Sequence, residues 1–264
     1  MTNAAFDFLE GQHDGYLRLE SPAVHSRAVF FLKGEYWVIC DRVRSDGRHR
    51  LGLHLHWAPD TTAWSEVQDI IIARPVDANG PEVSARIFAR AGQLSCEQGW
   101  VSTAYGTRAP APIHVFRLDS ERTEELVTVL ANSTNAVRLE DCAWHASGNA
   151  GVLTVATAST SDTILTGPTM ETERARDGVI SDATWTWVRR SLSGDLLAFA
   201  LIRGRSLIID NRREFQADRV VDCAIGQRGR DGWRVDVQGP DGVSTISAIS
   251  RVNRIEESCV ASVE

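Results

Sequence analysis

The sequence predicts an all-β protein, a large antiparallel β-supersandwich, and three observations predict it. Short runs rich in β-branched and aromatic residues recur along most of the chain at roughly 8–14-residue spacing, with Gly, Pro, Asn and Asp between them. Alternation within a run, as in Thr184-Trp185-Thr186-Trp187, marks a strand with one packed face and one wet face. No segment shows the apolar spacing of a helix, a heptad or a fixed-period repeat.

In chain order, "YLRLE" (Tyr16–Glu20) alternates and reads as the first strand. "AVFFLK" and "YWVICDRV" follow, joined by a tight turn at Lys33-Gly34-Glu35. Next come "LGLHLHW" (Leu51–Trp57), "VQDIIIA" (Val67–Ala73), "VSARIFA" (Val83–Ala89), "IHVFRL" (Ile113–Leu118), "ELVTVLA" (Glu125–Ala131) and "AVRLEDCAW" (Ala136–Trp144). The second half adds "VLTVATA", "ATWTWVRR", "LLAFALI", "SLIID", "RVVDCAI", "WRVDVQ" and "STISAIS". "DSERTEEL" (Asp119–Leu126) has poor helical spacing and reads as a loop running into a strand. The polar stretch Ser159–Thr184 reads as a long loop or irregular edge, a possible sub-boundary within a single domain over residues 1–264.

A chain of 264 residues can bury a substantial core. Its formal charge of −7 speaks against non-specific nucleic-acid binding, and the scattered arginines form no polybasic patch for a membrane surface. Five cysteines without framework spacing read as free thiols, Cys40 in "YWVIC" as a buried inert one, and Cys259 as another free thiol. The N-terminus has neither the basic nor the apolar region of a signal peptide, and no apolar run is long enough to span a bilayer.

The first half carries a succession of motifs. "HDGY" (His13–Tyr16) is followed by "VHSRAVFFLKGEYWVICDRV" (Val24–Val43), "GRHRLGLHLHWAP" (Gly47–Pro59), "GWVSTAYGTRAPAP" (Gly99–Pro112) and "ELVTVLANS" (Glu125–Ser133). This succession resembles the C-terminal β-sandwich of the heparinase II/III-like polysaccharide lyases. Beyond it, "LLAFALIRGRSLIIDNRREF" (Leu196–Phe215) keeps a family flavour. The resemblance implies half of a two-part enzyme, in which an N-terminal α/α toroid and the sandwich close over an acidic polysaccharide and cleave it by β-elimination.

In the family, a toroid tyrosine and a histidine at the start of the sandwich transfer protons, and two histidines with an aspartate hold a divalent metal. Those elements precede the H-D-G-Y segment, and the "H-x-H-x-D", "D-P-G" and "A-H-N" stretches that carry them do not occur in this chain. The resemblance therefore implies no cofactor on this chain and a toroid supplied by separate or upstream sequence. Family members act in the periplasm or cell envelope.

Within the chain itself, His13 and Tyr16 have the chemistry for acid–base work on a glycan, in a turn that nothing encloses. They are catalytic candidates rather than assigned residues. His25 and Arg27 share a strand face. They can hold a uronate carboxylate or, the favoured reading, pair with Asp41 or Glu35 across the hairpin. Tyr105 is a candidate sugar platform or, more simply, a loop anchor, with Gly106 supplying a positive-φ turn. His54 and His56 lie two apart and so point to one face, a common beginning of a metal site but also an ordinary wet sheet face. Of the eight tryptophans most should be core, and one or two exposed ones would suit a glycan groove.

Two readings follow. The first is the sandwich half of a uronate lyase, inactive without its toroid. The second is a non-catalytic carbohydrate-binding or structural module.

Overall fold

The computed structural model describes residues 1–66, 70–77, 79–132, 137–147, 150–167, 174–176, 178–230, 232–239 and 242–248. It divides into two compact units, Met1–Asp141 and Cys142–Glu264. Both are built from antiparallel strands, with short 3-10 turns at Gly15–Arg18 and Leu139–Asp141. No helix among the described residues is long and apolar enough to cross a membrane.

The first unit holds β1 (Phe6–His13), β2 (Ala23–Leu32), β3 (Tyr36–Ser45), β4 (His49–His56), β5 (Thr61–Ser65), β6 (Ile70–Pro75), β7 (Val83–Phe88), β8 (Gln93–Val101), β9 (Ala109–Ser120) and β10 (Glu124–Asn132). A seven-stranded sheet runs β1-β2-β3-β10-β7-β6-β5, and a three-stranded sheet runs β4-β9-β8. One face of the larger sheet supplies Ile71, Ala85, Ile87 and Leu126. Opposite them lie Phe116 and Leu118 of β9, with Leu51, Leu53 and Leu55 of β4 packed against the cluster. Two sheets facing each other across an apolar layer make this unit a sandwich.

Alternation decides which residues enter that layer. Along β4 the odd positions are partly buried and the even positions exposed, so Leu51, Leu53 and Leu55 face inward while His54 and His56 face solvent. The β2–β3 hairpin is pinned by Gly34, at φ 76, in the turn where Glu35 N–H reaches Leu32 O at 3.0 Å.

The second unit holds β11 (Ala143–Ser147), β12 (Ala150–Ala156), β13 (Thr160–Thr166), β14 (Arg174–Arg176), β15 (Val179–Ser181), β16 (Trp185–Ser191), β17 (Leu196–Ile209), β18 (Arg212–Gly229), β19 (Gly232–Gly239) and β20 (Gly242–Ala248). They form one sheet ordered β11-β12-β13-β16-β17-β18-β19-β20, with β15 bridging β14 and β17. Its core cluster draws on Leu165, Val188, Phe199, Leu201, Phe215, Trp233 and neighbours from β12 to β19.

Several local expectations change. Tyr16–Arg18 lies in a 3-10 turn rather than a strand. Within "AVRLEDCAW", Leu139–Asp141 is also a 3-10 turn, and the strand begins only at Ala143. Inside the stretch read as a loop, Thr160–Thr166 is a central strand paired on both sides. Its charge, Asp162, is fully buried and takes a two-pronged ion pair from its cross-strand partner Arg189, at 2.8 and 2.7 Å. That pairing lets a polar segment sit inside the sheet.

Strand β16 has no wet face at its start. Thr186 is as buried as Trp185 and Trp187, and its hydroxyl donates to Ser181 Oγ at 2.7 Å, which satisfies it in the interior. "SLIID" continues β17, which turns into β18 through Asp210 and Asn211 at φ 50 and 63, the left-handed pair a two-residue hairpin requires. Cys40, Cys142 and Cys223 are buried and Cys96 is exposed. Cys259, the last two residues of "STISAIS" and the first three of "VQDIIIA" lie outside the described residues.

Candidate functional site

The first unit contains a cleft of about 330 Å³ between the 3-10 turn at Gly15–Arg18, the β2–β3 hairpin and β4. Tyr16 and Leu19 form its rim. Ala23, His25 and Arg27 come from β2, Asp41 and Val43 from β3, Leu126 from β10, and His49, Leu51 and Leu53 from β4. Alternation explains the set. His25 and Arg27 lie two apart on β2, Asp41 stands directly opposite Arg27, and the inward-facing odd positions of β4 close the other side.

Asp41 organises the floor. Its side chain is 5% exposed; Oδ1 accepts from His25 Nε2 at 2.6 Å and from Arg27 Nε at 2.7 Å, and Oδ2 accepts from Arg27 Nη2 at 2.9 Å. A carboxylate held this way only accepts, so the proton between it and the imidazole sits on His25 Nε2. Arg27 commits its Nε–Nη2 edge to Asp41, the cross-strand pairing expected from the sequence.

His13 is the register partner of His25, and its ring lies edge-on to Tyr16 with centroids 5.1 Å apart. A side chain at position 15 would put its Cβ 2.6 Å from the His13 ring, so Gly15 is what allows the ring to fold over the turn. The structure thus brings His13, Tyr16, His25 and Arg27 to one corner of the first unit. Tyr16, Leu17 and Leu19 beside it are 46%, 53% and 44% exposed, an apolar rim beside a cleft that mixes the His25–Asp41–Arg27 cluster with Val43, Leu51, Leu53 and Leu126.

His49 also belongs to this corner, although its residue type and spacing alone do not single it out. It lines the cleft, and its Nε2 is buried without a hydrogen-bond partner among the described residues. The signal for it is parity: His49 shares a face with Leu51 and Leu53, whereas His54 and His56 take the opposite one. Arg50, its neighbour, also borders the cleft and pairs with Asp119 at 3.5 Å.

The remaining candidates lie elsewhere. His54 and His56 stack with ring centroids 6.2 Å apart on the exposed face of β4. Glu97 is the acid near them, but Arg117 grips it, and those hydrogen bonds, with one from Ser95 and the nearby His54, hold its carboxyl below the usual range. Among the described residues no three His, Cys, Asp or Glu side chains gather as metal ligands.

Tyr105 stands at the apex of the β8–β9 hairpin, bare to solvent, so it anchors nothing in its own loop. Trp100 is 56% and Trp37 is 37% exposed, whereas Trp185, Trp187 and Trp233 are buried. Trp37 stacks on Phe31 at 4.1 Å, and Arg108 covers one side of Trp100 at 4.5 Å. Inside the three-stranded sheet, His114 is fully buried, accepts from Trp57 Nε1 at 3.0 Å, and is pushed down in pKa by burial.

Comparison with known proteins fits this geometry. Residues 2–174 match the family described as Heparinase II/III-like, C-terminal. Two solved heparinase III structures resemble the chain with TM-scores of 0.52 and 0.50 at 18% and 14% identity, each over 63% of this chain and 26% of theirs. The heparan sulfate lyase HepC from Pedobacter heparinus is similar at 19% identity over 60% of this chain, with a TM-score of 0.49. The chain therefore spans about a quarter of the length of these structures, and at such identities the likeness is one of fold. No curated protein sequence matches it. The chain belongs to the heparinase II/III-like family, to which it corresponds as a C-terminal part.

Proposed function

We propose that this chain is the C-terminal sandwich half of a polysaccharide lyase that cleaves acidic, uronate-bearing glycans by β-elimination, and that it works only when a helical toroid domain closes over it. In that reaction a base removes the proton alpha to the uronate carboxylate. The freed electron pair forms the new carbon–carbon double bond, and an acid protonates the departing glycosidic oxygen. The sandwich supplies one wall of the glycan cleft.

The observation that carries this reading is the corner at His25. A buried carboxylate fixes the orientation of an imidazole in an open cleft, and its rim exposes Tyr16, Leu17 and Leu19. Exposed apolar side chains gathered at the mouth of a cleft mark a surface that another body covers. Arg27 serves this corner as the support of Asp41, and His25 as a group that meets the glycan.

The experiment supplies the N-terminal toroid of a heparinase III in trans and measures complex formation by analytical ultracentrifugation. Wild type should associate, and Leu17→Ser with Leu19→Ser should weaken the complex severalfold, because both side chains lie at the proposed interface. Association unchanged by the double substitution, or no association at all, would contradict the proposal and favour a stand-alone binding module.

A further inference from the structure

We infer that the tip of the β8–β9 hairpin is a second glycan contact, formed by Tyr105, Trp100 and Arg108, which takes a pyranose ring bearing an acidic substituent. The inference rests on the acidic-glycan reading above but on a different element, since none of these three residues lines the cleft.

Local hydrogen bonds fix the shape of the tip. The carbonyl of Ala104 accepts from Thr107 N–H at 3.1 Å, from Thr107 Oγ1 at 2.9 Å and from Ser102 Oγ at 2.9 Å. Gly106, at φ 75, occupies the third position of this turn, where a positive φ is needed. The second position, which points outward, belongs to Tyr105, and its ring is wholly exposed. A turn tied in this way loses little freedom when a ligand arrives.

Two large rings in water are unusual, because aromatic side chains normally bury most of their area. Trp100 is 56% exposed, with the Arg108 guanidinium 4.5 Å from its ring centroid. The side chains between them, Ser102, Thr103, Ala104 and Thr107, are small and exposed, so the Tyr105 ring stands clear and Trp100 carries Arg108 over one face.

That sparseness decides the partner class. A stable protein interface buries about 800 Å² on each side, and two rings on a narrow turn offer far less. They suit one or two sugar units, whose C–H faces lie on an aromatic ring while Arg108 meets a carboxylate or sulfate.

The test is electrophoresis of the full chain through native gels containing heparan sulfate, polygalacturonate or neutral dextran. The wild type should be retarded by an acidic polysaccharide and not by dextran. The heparan sulfate and polygalacturonate gels distinguish sulfate from carboxylate as the group that is read. Tyr105→Ala and Trp100→Ala should each weaken retardation about three- to tenfold, the range for one aromatic contact, and Arg108→Gln should weaken it as well. Tyr105 touches nothing, so its variant keeps the fold even if the Trp100 variant does not.

Unretarded wild type, or tip variants retarded like wild type, would overturn the inference. If His25→Ala alone abolishes retardation, the cleft reading stands and the tip reading falls. If the tip variants lose the trans complex with the toroid but keep their retardation, the tip is a protein contact instead, and the inference fails.

Discussion

Removing the Asp41 carboxylate would release two neighbours at once, His25 and the fork of Arg27. Asp41→Asn keeps the shape but weakens three charge-assisted bonds at a buried position. The expected loss is about 1–3 kcal/mol in chemical denaturation, limited because the side chains of His25 and Arg27 are 32% and 47% exposed and can turn to water. A stability equal to wild type would show that the triad does not hold the corner together. The second residue-scale effect concerns Cys223, which burial pushes from an ordinary 9.0 up to about 12. Because the folded value is raised, its contribution is complete below the unfolded value and is lost as pH rises through the folded one. Urea midpoints should therefore fall more steeply between pH 9 and 12 in wild type than in Cys223→Ala. Coincident profiles would refute the assignment.

Elements repeat the lesson that close contacts are made where a side chain is missing. In β18, Gly226 lies opposite Phe199 of β17, and a Cβ there would stand 2.2 Å from the phenyl ring. That ring cannot retreat easily, because Trp233 stacks on it at 5.9 Å and Phe215 at 6.4 Å. Gly226→Ala should destabilise by about 1–3 kcal/mol through overpacking, and a thermal melt unchanged by the substitution would contradict the packing described. The strands legible in the sequence are those that alternate against water, such as β4 and β19, or that form a continuous run rich in β-branched residues and buried on both faces, as Leu126–Val129 of β10 does. Among those missed, besides the edge strands β5 and β8 and the short β14 and β15, are β13, whose buried Asp162 is neutralised by Arg189 far along the chain, and β1, whose Phe6 and Phe8 lie in a segment with few other apolar residues. Tyr16–Glu20 alternates like a strand, yet Leu17 N–H bonds back to Asp14 O at 2.9 Å and closes a turn. Local hydrogen bonding overrides pattern there.

At the scale of the whole molecule, the family and the all-β sandwich class were legible because motifs such as "HDGY" and "YWVICDRV" survive in order, and the family match runs over residues 2–174. The candidate site was only half legible. His25, Arg27 and Asp41 are joined by one hairpin, so their meeting follows from strand register. His49 reaches the same cleft from the facing sheet, and no spacing in the sequence specifies which strand faces which. The exposed mouth at Tyr16, Leu17 and Leu19 supports the proposal that another body covers this cleft. The most direct measurement is the ultraviolet absorbance of unsaturated uronate product when the chain alone is incubated with a panel of polyuronates. The account predicts a flat trace from folded protein, with product appearing only once the toroid is supplied. A rise from the chain alone, abolished by His13→Ala or Tyr16→Phe, would contradict it and make the sandwich an enzyme in its own right.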